Sequence, residues 1–470
     1  MQPSSHIQKK SPRPGLEKLE DRTVPALVVR SLADLLYISG TPKTELFVEQ
    51  TGAANNFSVR DGSKQMGQYT ISRNLLIRLR NRPDGDVNID LNDGAVPGNV
   101  NIDLGKGCAS NGFGVDIYDN NAGAVGSIGG SVMIYGGKGN ETYNIGAVRT
   151  APFTADPRPI NIGGDLTVVG VNSPTGVDDN FNLDAGTTVG GNIRLAQVDA
   201  VAIGRQAIGA VDTTVRGNLT IVSSSPAKRL SVVISGSIYG NVSVLGNSQD
   251  DVFTFQLTDS DIGGVIRGNL FVNFGDSASN YSEFNLIEDT TVMGSVTLIS
   301  GYSPHPSLGD YFNIRGNILG SLVINMGDGI NDLNFAVAAV VSGNVSIIGG
   351  NGQNNIGCLG NDFLGTIGGN LTINLGNGNN GSSTDPMVIA PTALNGRFTW
   401  RSGNGDNYLQ LGNGVDLTLF ADIVFGDGND TLDTNLGAGF FRGRVNGGGG
   451  TNTFTMTSGS FDSPIRLLNI

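Results

Sequence analysis

One short element recurs twelve times along this chain, and it limits the folds open to it more than any other feature. It reads apolar, variable, Gly, small polar, then alternating apolar positions, as in Val96-Pro97-Gly98-Asn99-Val100-Asn101-Ile102 and Val215-Arg216-Gly217-Asn218-Leu219-Thr220-Ile221. The copies are centred on Gly98, Gly130, Gly164, Gly191, Gly217, Gly240, Gly268, Gly294, Gly320, Gly343, Gly369 and Gly396. Eleven steps over 298 residues give a mean period of 27, and from Gly191 onward every step lies between 23 and 28. Alternation at period 2 predicts a strand with one buried face, and the preceding glycine predicts a bend or a close backbone approach.

A second element follows most copies. A Gly-rich turn leads to a polar residue, one variable residue and an aromatic or aliphatic one, as in Glu141/Tyr143, Asp179/Phe181, Asp251/Phe253, Ser282/Phe284, Asp310/Phe312, Asn354/Ile356, Asn407/Leu409 and Asp430/Leu432. Each repeat therefore holds at least two strands. A unit of this length cannot bury its own apolar face, so the copies must stack. The expectation is an all-β fold, a parallel, right-handed β-helix solenoid of about twelve or more coils of roughly 27 residues. Stacking at ~4.8 Å places equivalent residues in columns. One is aliphatic (Leu219, Val242, Leu270, Val296, Leu322, Val345, Leu371), one is aromatic, and one is an Asn/Asp column at the turn whose amides pass hydrogen bonds from coil to coil.

The expected organisation is a flexible or targeting segment at 1–30, irregular first coils or a cap at 31–95, the solenoid at 96–455 and a tail at 456–470. Terminal repeats of a solenoid depart from consensus because an open end exposes unpaired strand edges. Collagen is excluded because the 71 glycines cluster as Gly-Gly or Gly-x-Gly and not at every third position.

The net charge of −13 argues against a nucleic-acid partner, since phosphate binding relies on clustered Lys and Arg and only Lys138 and Lys228 follow Lys106. No transmembrane segment is expected: the longest apolar run, 335–341, is far short of the ~18 residues a span needs. Cys108 and Cys358 would lie nine coils apart, roughly 43 Å, so they do not pair within one chain.

Ala26-Leu27-Val28-Val29 is too short for the apolar core of a secretory leader. The preceding residues Leu16-Glu17-Lys18-Leu19-Glu20-Asp21-Arg22-Thr23-Val24-Pro25, however, resemble the Leu-Glu-x-Leu-Glu-Asp-Arg-x-x-Pro motif near the amino termini of many large secreted or surface proteins of the planctomycete type. That resemblance implies an extracellular or cell-surface location and says nothing about activity.

Gly426-Asp427-Gly428-Asn429-Asp430-Thr431-Leu432-Asp433 resembles one copy of the calcium-binding nonapeptide of RTX-type β-rolls, with Phe425 in place of the first glycine. The resemblance implies calcium as a cofactor, with Asp427, Asp430 and Asp433 as oxygen ligands. The equivalent positions of related turns hold Glu141, Asn354, Asn407 and Asn452, so the alternative is a purely structural Gly-Asn turn.

Parallel β-helices also carry polysaccharide lyases and hydrolases. The acids that paired-carboxylate chemistry would use are Asp178, Asp179, Asp250, Asp251, Asp259 and Asp261. Histidine is confined to His6 in the amino-terminal segment and His305 between two prolines, and no nucleophile elbow, phosphate loop or zinc motif is present. The function expected is therefore an exported, non-catalytic structural or adhesive solenoid of the cell surface or envelope. Its expected partners are envelope components or polysaccharide, with end-to-end or lateral self-association. The alternative is a carbohydrate-active β-helix, a polysaccharide hydrolase or lyase working through surface Asp residues.

Overall fold

A computed structural model describes residues 26–470 except 53–54, 81–85, 106–113, 122–123, 138, 151–153, 158, 172–178, 206–211, 224–228, 248–250, 256–263, 277–280, 304–308, 358–362 and 413–417; the side chains of 147–150, 154–157, 205, 255 and 463–465 are also outside the description. The Leu16 to Pro25 motif, both cysteines, both histidines and Asp178, Asp250, Asp259 and Asp261 fall outside it. Among the described residues the secondary structure is entirely β, gathered into sheets of twenty, fourteen and twelve strands and one two-stranded hairpin. The chain is a parallel β-helix.

One coil shows how the repeat folds. Leu270–Asn273 lies in sheet 1, Glu283–Leu286 in sheet 2 and Thr291–Val292 in sheet 3. The backbone then turns at Gly294 and returns to sheet 1 as Val296–Ile299. The recurrent element is thus two strands meeting at a corner. The apolar residue before the glycine belongs to sheet 3 and the alternating residues after it to sheet 1.

Glycine is required at the corner by the neighbouring coil. Gly294 N–H donates to the Gly268 carbonyl, and Gly320 N–H to that of Gly294. A Cβ at Gly294 would stand 2.5 Å from the Gly268 oxygen, closer than any side chain tolerates.

The expected columns are present in unbroken register. Leu219, Val242, Leu270, Val296, Leu322, Val345 and Leu371 pair in succession across sheet 1, all buried. In sheet 2 the inward column runs Tyr143, Phe181, Val201, Val232, Phe253, Phe284, Phe312 and Leu333. Phe253 and Phe284 stack with ring centroids 5.4 Å apart and planes 3° from parallel. Burying each such side chain contributes about 1.5–3 kcal/mol, which is why the columns hold the stack together.

The small polar residue after each glycine builds a ladder along the corner. The backbone N–H of Asn218 donates to Asn192 Oδ1, that of Asn241 to Asn218 Oδ1, and that of Asn269 to Asn241 Oδ1, at 2.8–2.9 Å. The same bond, with Ser or Asp substituting, repeats from Asn99 N–H on Asn74 to Arg397 N–H on Asn370.

The two ends differ in construction. Within 31–95 antiparallel hairpins cover the first coil: Val28–Leu32 on Leu35–Gly40, and Leu46–Gln50 on Asn56–Asp61, which pairs in turn with Lys64–Thr70. Gly62, at φ +57°, makes the tight turn between the last two. At the carboxy end sheet 3 stops at Ala393–Leu394. Thr431–Asn446 pairs first with Tyr408–Leu411 and then, past a bend, with Leu419–Val424. Thr453–Leu468 lies along it as one more coil, so the residues read from sequence as a tail at 456–470 form most of the last strand.

Candidate functional site: the stacked turns and the outer face of sheet 1

The turn leading into sheet 2 holds a buried polar column, two residues before the inward aromatic position. Glu141, Asp179, Asp199, Asp251, Ser282 and Asp310 form its amino-terminal half and Asn331, Asn354, Asn380, Asn407 and Asp430 the other, all buried. Many of these side chains accept a hydrogen bond from the coil before. Glu141 N–H donates to Asp179 Oδ1 at 2.9 Å, Asp179 N–H to Asp199 Oδ2 at 3.0 Å, Leu230 N–H to Asp251 Oδ1 at 2.8 Å and Ser282 N–H to Asp310 Oδ1 at 2.7 Å. Second oxygens are used locally: Asp179 Oδ2 accepts from Val171 N–H and Asp251 Oδ2 from Asn247 N–H.

Asp179 and Asp251, two of the acids considered for sugar chemistry, are therefore interior groups that cap turn backbone. Burial and the neighbouring Glu141 push the Asp179 carboxyl well above the usual carboxylate range. A group so placed reaches no substrate on the outer surface.

In the carboxy-terminal half the turns share the pattern Gly-x-Gly-x-Asn/Asp: 350–354, 376–380, 403–407 and 426–430. Asn354 N–H donates to Asn380 Oδ1, Asn380 Nδ2 to Asn407 Oδ1 and Asn407 Nδ2 to Asp430 Oδ1, at 2.9, 2.7 and 2.7 Å. The amide nitrogens also satisfy their own turns, Asn380 Nδ2 on the Gly378 carbonyl and Asn407 Nδ2 on that of Gly405. A Cβ at Gly405 would stand 2.2 Å from the Gly378 oxygen, so the turns admit no side chain there.

The three residues expected to hold calcium do not converge. Asp427 is exposed at the tip, where its N–H donates to Asn404 Oδ1. Asp433 lies on the strand with Oδ2 accepting from Gln410 Nε2 and Oδ1 from Thr457 Oγ1. Asp430 is buried, with Oδ1 accepting both the N–H and Nδ2 of Asn407. Among the described residues no group of three or more His, Cys, Asp or Glu side chains is placed to hold a metal. The turn therefore does not fit a three-carboxylate calcium site.

One feature of Asp430 stands out: its buried Oδ2 has no hydrogen-bond partner. By the register of the stack, Asp430 carries this second carboxyl oxygen where Asn407 carries an amide nitrogen. Burial raises the carboxyl to about 6 against the hydrogen bonds from Asn407.

Sequence reasoning missed two features. Asparagines that follow the aromatic position pair on the opposite face of sheet 2, with Asn144 Nδ2 donating to Asp116, Asn182 to Asn144, Asn313 to Asn285 and Asn334 to Asn313. The signal was the repeated aromatic-Asn dipeptide at 143–144, 181–182, 284–285 and 312–313. The other is the outer face of sheet 1. Its two outward columns run in register from Met133 and Tyr135 to Thr372 and Asn374, through residues such as Thr220, Leu245, Phe271 and Ile299, with Arg401 next in register beyond them. Arg194 is the one charged residue among them. A face of about ten coils, roughly 50 Å, is thus nearly free of charge on an acidic chain. At its amino-terminal end a groove is lined by Leu76, Arg78, Asn101, Asp103, Met133 and Tyr135.

No family model, no curated protein and no solved structure matches this chain. No helix of the described residues is long and apolar enough to cross a membrane.

Proposed function

We propose that this protein is an exported, non-catalytic structural or adhesive solenoid of the cell surface, which presents the outer face of sheet 1 to a polysaccharide or other envelope component. The observation that carries the reading is that face: regular at the coil spacing, lined mainly by Thr, Ser, Asn and aliphatic side chains, and nearly uncharged over about ten coils. Such a surface offers hydroxyls and amides for hydrogen bonds to a neutral polymer, and apolar strips for its less polar faces. The acids Asp179 and Asp251 support the non-catalytic half, because both are engaged inside the coil and not displayed in pairs on a groove. The extracellular half is supported by the Leu16 to Pro25 motif.

The test is co-sedimentation of the full chain with purified insoluble envelope polysaccharide, alongside fractionation of the source cells. The double variant Phe271→Asp/Thr297→Asp places two charges at the centre of the face and should weaken binding at least about tenfold. Equal binding by both proteins, or a cytoplasmic location, would remove the proposal.

A further inference from the structure

Beyond Asn374 the outward columns of sheet 1 change character. The cationic residues that follow Arg315 are all arginines, Arg397, Arg401, Arg442, Arg444 and Arg466, on a chain whose net charge is −13. Register carries one outward column from Thr372 through Thr399 and Asp422 to Arg444 and Arg466, and the other from Asn374 to Arg401. Asp422 sits between two guanidinia. Its Oδ1 accepts from Arg444 Nε at 2.8 Å and lies 2.7 Å from Arg444 Nη2, and its Oδ2 accepts from Arg401 Nη2 at 3.3 Å. Arg442, in register with Phe420, is ion-paired with Asp462. Asp406 and Asp427 stand on the turns beyond these strands, and Asp430 and Asp433 are buried. The four guanidinia of Arg401, Arg442, Arg444 and Arg466 therefore stand with two carboxylates, Asp422 and Asp462, an excess of two positive charges.

We infer that this cluster is a binding site for the carboxylate groups of an acidic polysaccharide. A guanidinium holds a carboxylate through two parallel N–H···O bonds, and Asp422 occupies only part of the donor set of Arg401 and Arg444. The same carboxylate fixes both guanidinia in place, so a ligand has little left to order. Arg444 and Arg466 repeat at the coil spacing, and charges at regular intervals along a linear polymer meet such a row in turn. The two columns also run on from the uncharged Thr and Asn face, so a chain laid along the stack passes from hydrogen-bonding positions to ionic ones. On that continuity a polysaccharide is favoured over an acidic protein. The inference thus rests on the proposed role of the outer face of sheet 1 and adds the class of sugar.

Calorimetric titration of the full chain with an oligogalacturonate, its methyl ester and an oligoglutamate of equal length separates charge, sugar and peptide. The free acid should bind at least about tenfold more tightly than the ester or the peptide. Its affinity should fall at least about tenfold as sodium chloride rises from about 50 to about 500 mM. Neither reading depends on a variant folding. Arg401→Gln and Arg444→Gln should each weaken binding of the acid about tenfold, whereas Arg315→Gln, whose guanidinium bonds Asn313 on sheet 2, should leave it unchanged. No binding of the acid, acid and ester binding alike, indifference to salt or to both arginine variants, or tighter binding of the peptide would overturn it. Failure of the polysaccharide reading of the uncharged face shows separately, as equal co-sedimentation of wild type and Phe271→Asp/Thr297→Asp with the insoluble polymer.

Discussion

At the residue scale, a single atom separates Asp430 from the asparagines above it in the stack. Asn380 and Asn407 each present an oxygen to the coil before and a nitrogen to their own turn, whereas Asp430 presents a second oxygen where the nitrogen belongs. A protonated carboxyl restores the missing donor, and burial favours that form. The unfolded chain has an Asp near pH 3.9 and the folded one near 6, so between those values the native state binds more protons. Stability should accordingly be highest below about pH 4, fall as pH rises to about 6 and then level off, by roughly 1–3 kcal/mol from this group. Asp430→Asn supplies the donor at every pH. It should raise the melting temperature at pH 8, change little at pH 4 and flatten the profile between them; a variant less stable than wild type at pH 8 would refute the account. Because the three carboxylates do not converge, calcium and chelator should give coincident wild-type melts.

At the element scale, two asparagine ladders of similar geometry should differ in energetic weight. The corner ladder is exposed, so water replaces what Asn241 Oδ1 gives Asn269 N–H, and Asn241→Ala should cost about 0.5–1.5 kcal/mol. Asn380 is buried, and Asn380→Ala would strand the Asn354 N–H and break its bond to Asn407, costing roughly 2–4 kcal/mol. Chemical denaturation of the two variants ranks them, and equal losses would count against burial as the deciding variable. This difference also shows what was legible in the sequence. The inward columns of sheets 1 and 2 could be read because strands such as Leu270–Asn273 alternate with period 2 and repeat in register. The strands of sheet 3, such as Thr291–Val292, are too short to show alternation, so three strands per coil could not be counted. Asp251-Val252-Phe253 and Asp179-Asn180-Phe181 fit an exposed acidic turn as well as a buried cap, and only the stacking partners decide between them. The nonapeptide match placed Asp427, Asp430 and Asp433 together on spacing, whereas the fold sends one to solvent, one to the core and one along a strand.

At the scale of the whole molecule, each coil touches its two neighbours and little else, so stability should be a sum of coil and interface contributions along one axis. This makes the solenoid tolerant of losing a whole coil and intolerant of losing a fraction of one. Deleting residues 268–293 removes one strand from each of the three sheets and joins Arg267 to Gly294, so that the corner reads Ile266-Arg267-Gly294-Ser295-Val296. Val296 then stacks on Val242, Phe312 on Phe253 and Ile318 on Ile266, each pairing like with like. Ser295 N–H meets Asn241 Oδ1, the acceptor Asn269 N–H has in the intact chain, and the corner ladder closes over the gap. The shortened protein should keep its far-ultraviolet circular dichroism per residue, unfold cooperatively and be shorter by about 4.8 Å along its axis in small-angle scattering. Deleting only residues 268–280 removes the sheet 1 strand and leaves that of sheet 2 without a path back to its column, and should yield an unfolded or aggregated chain. If both deletions behaved alike, whether folded or not, coil-by-coil register would not be what holds this molecule together.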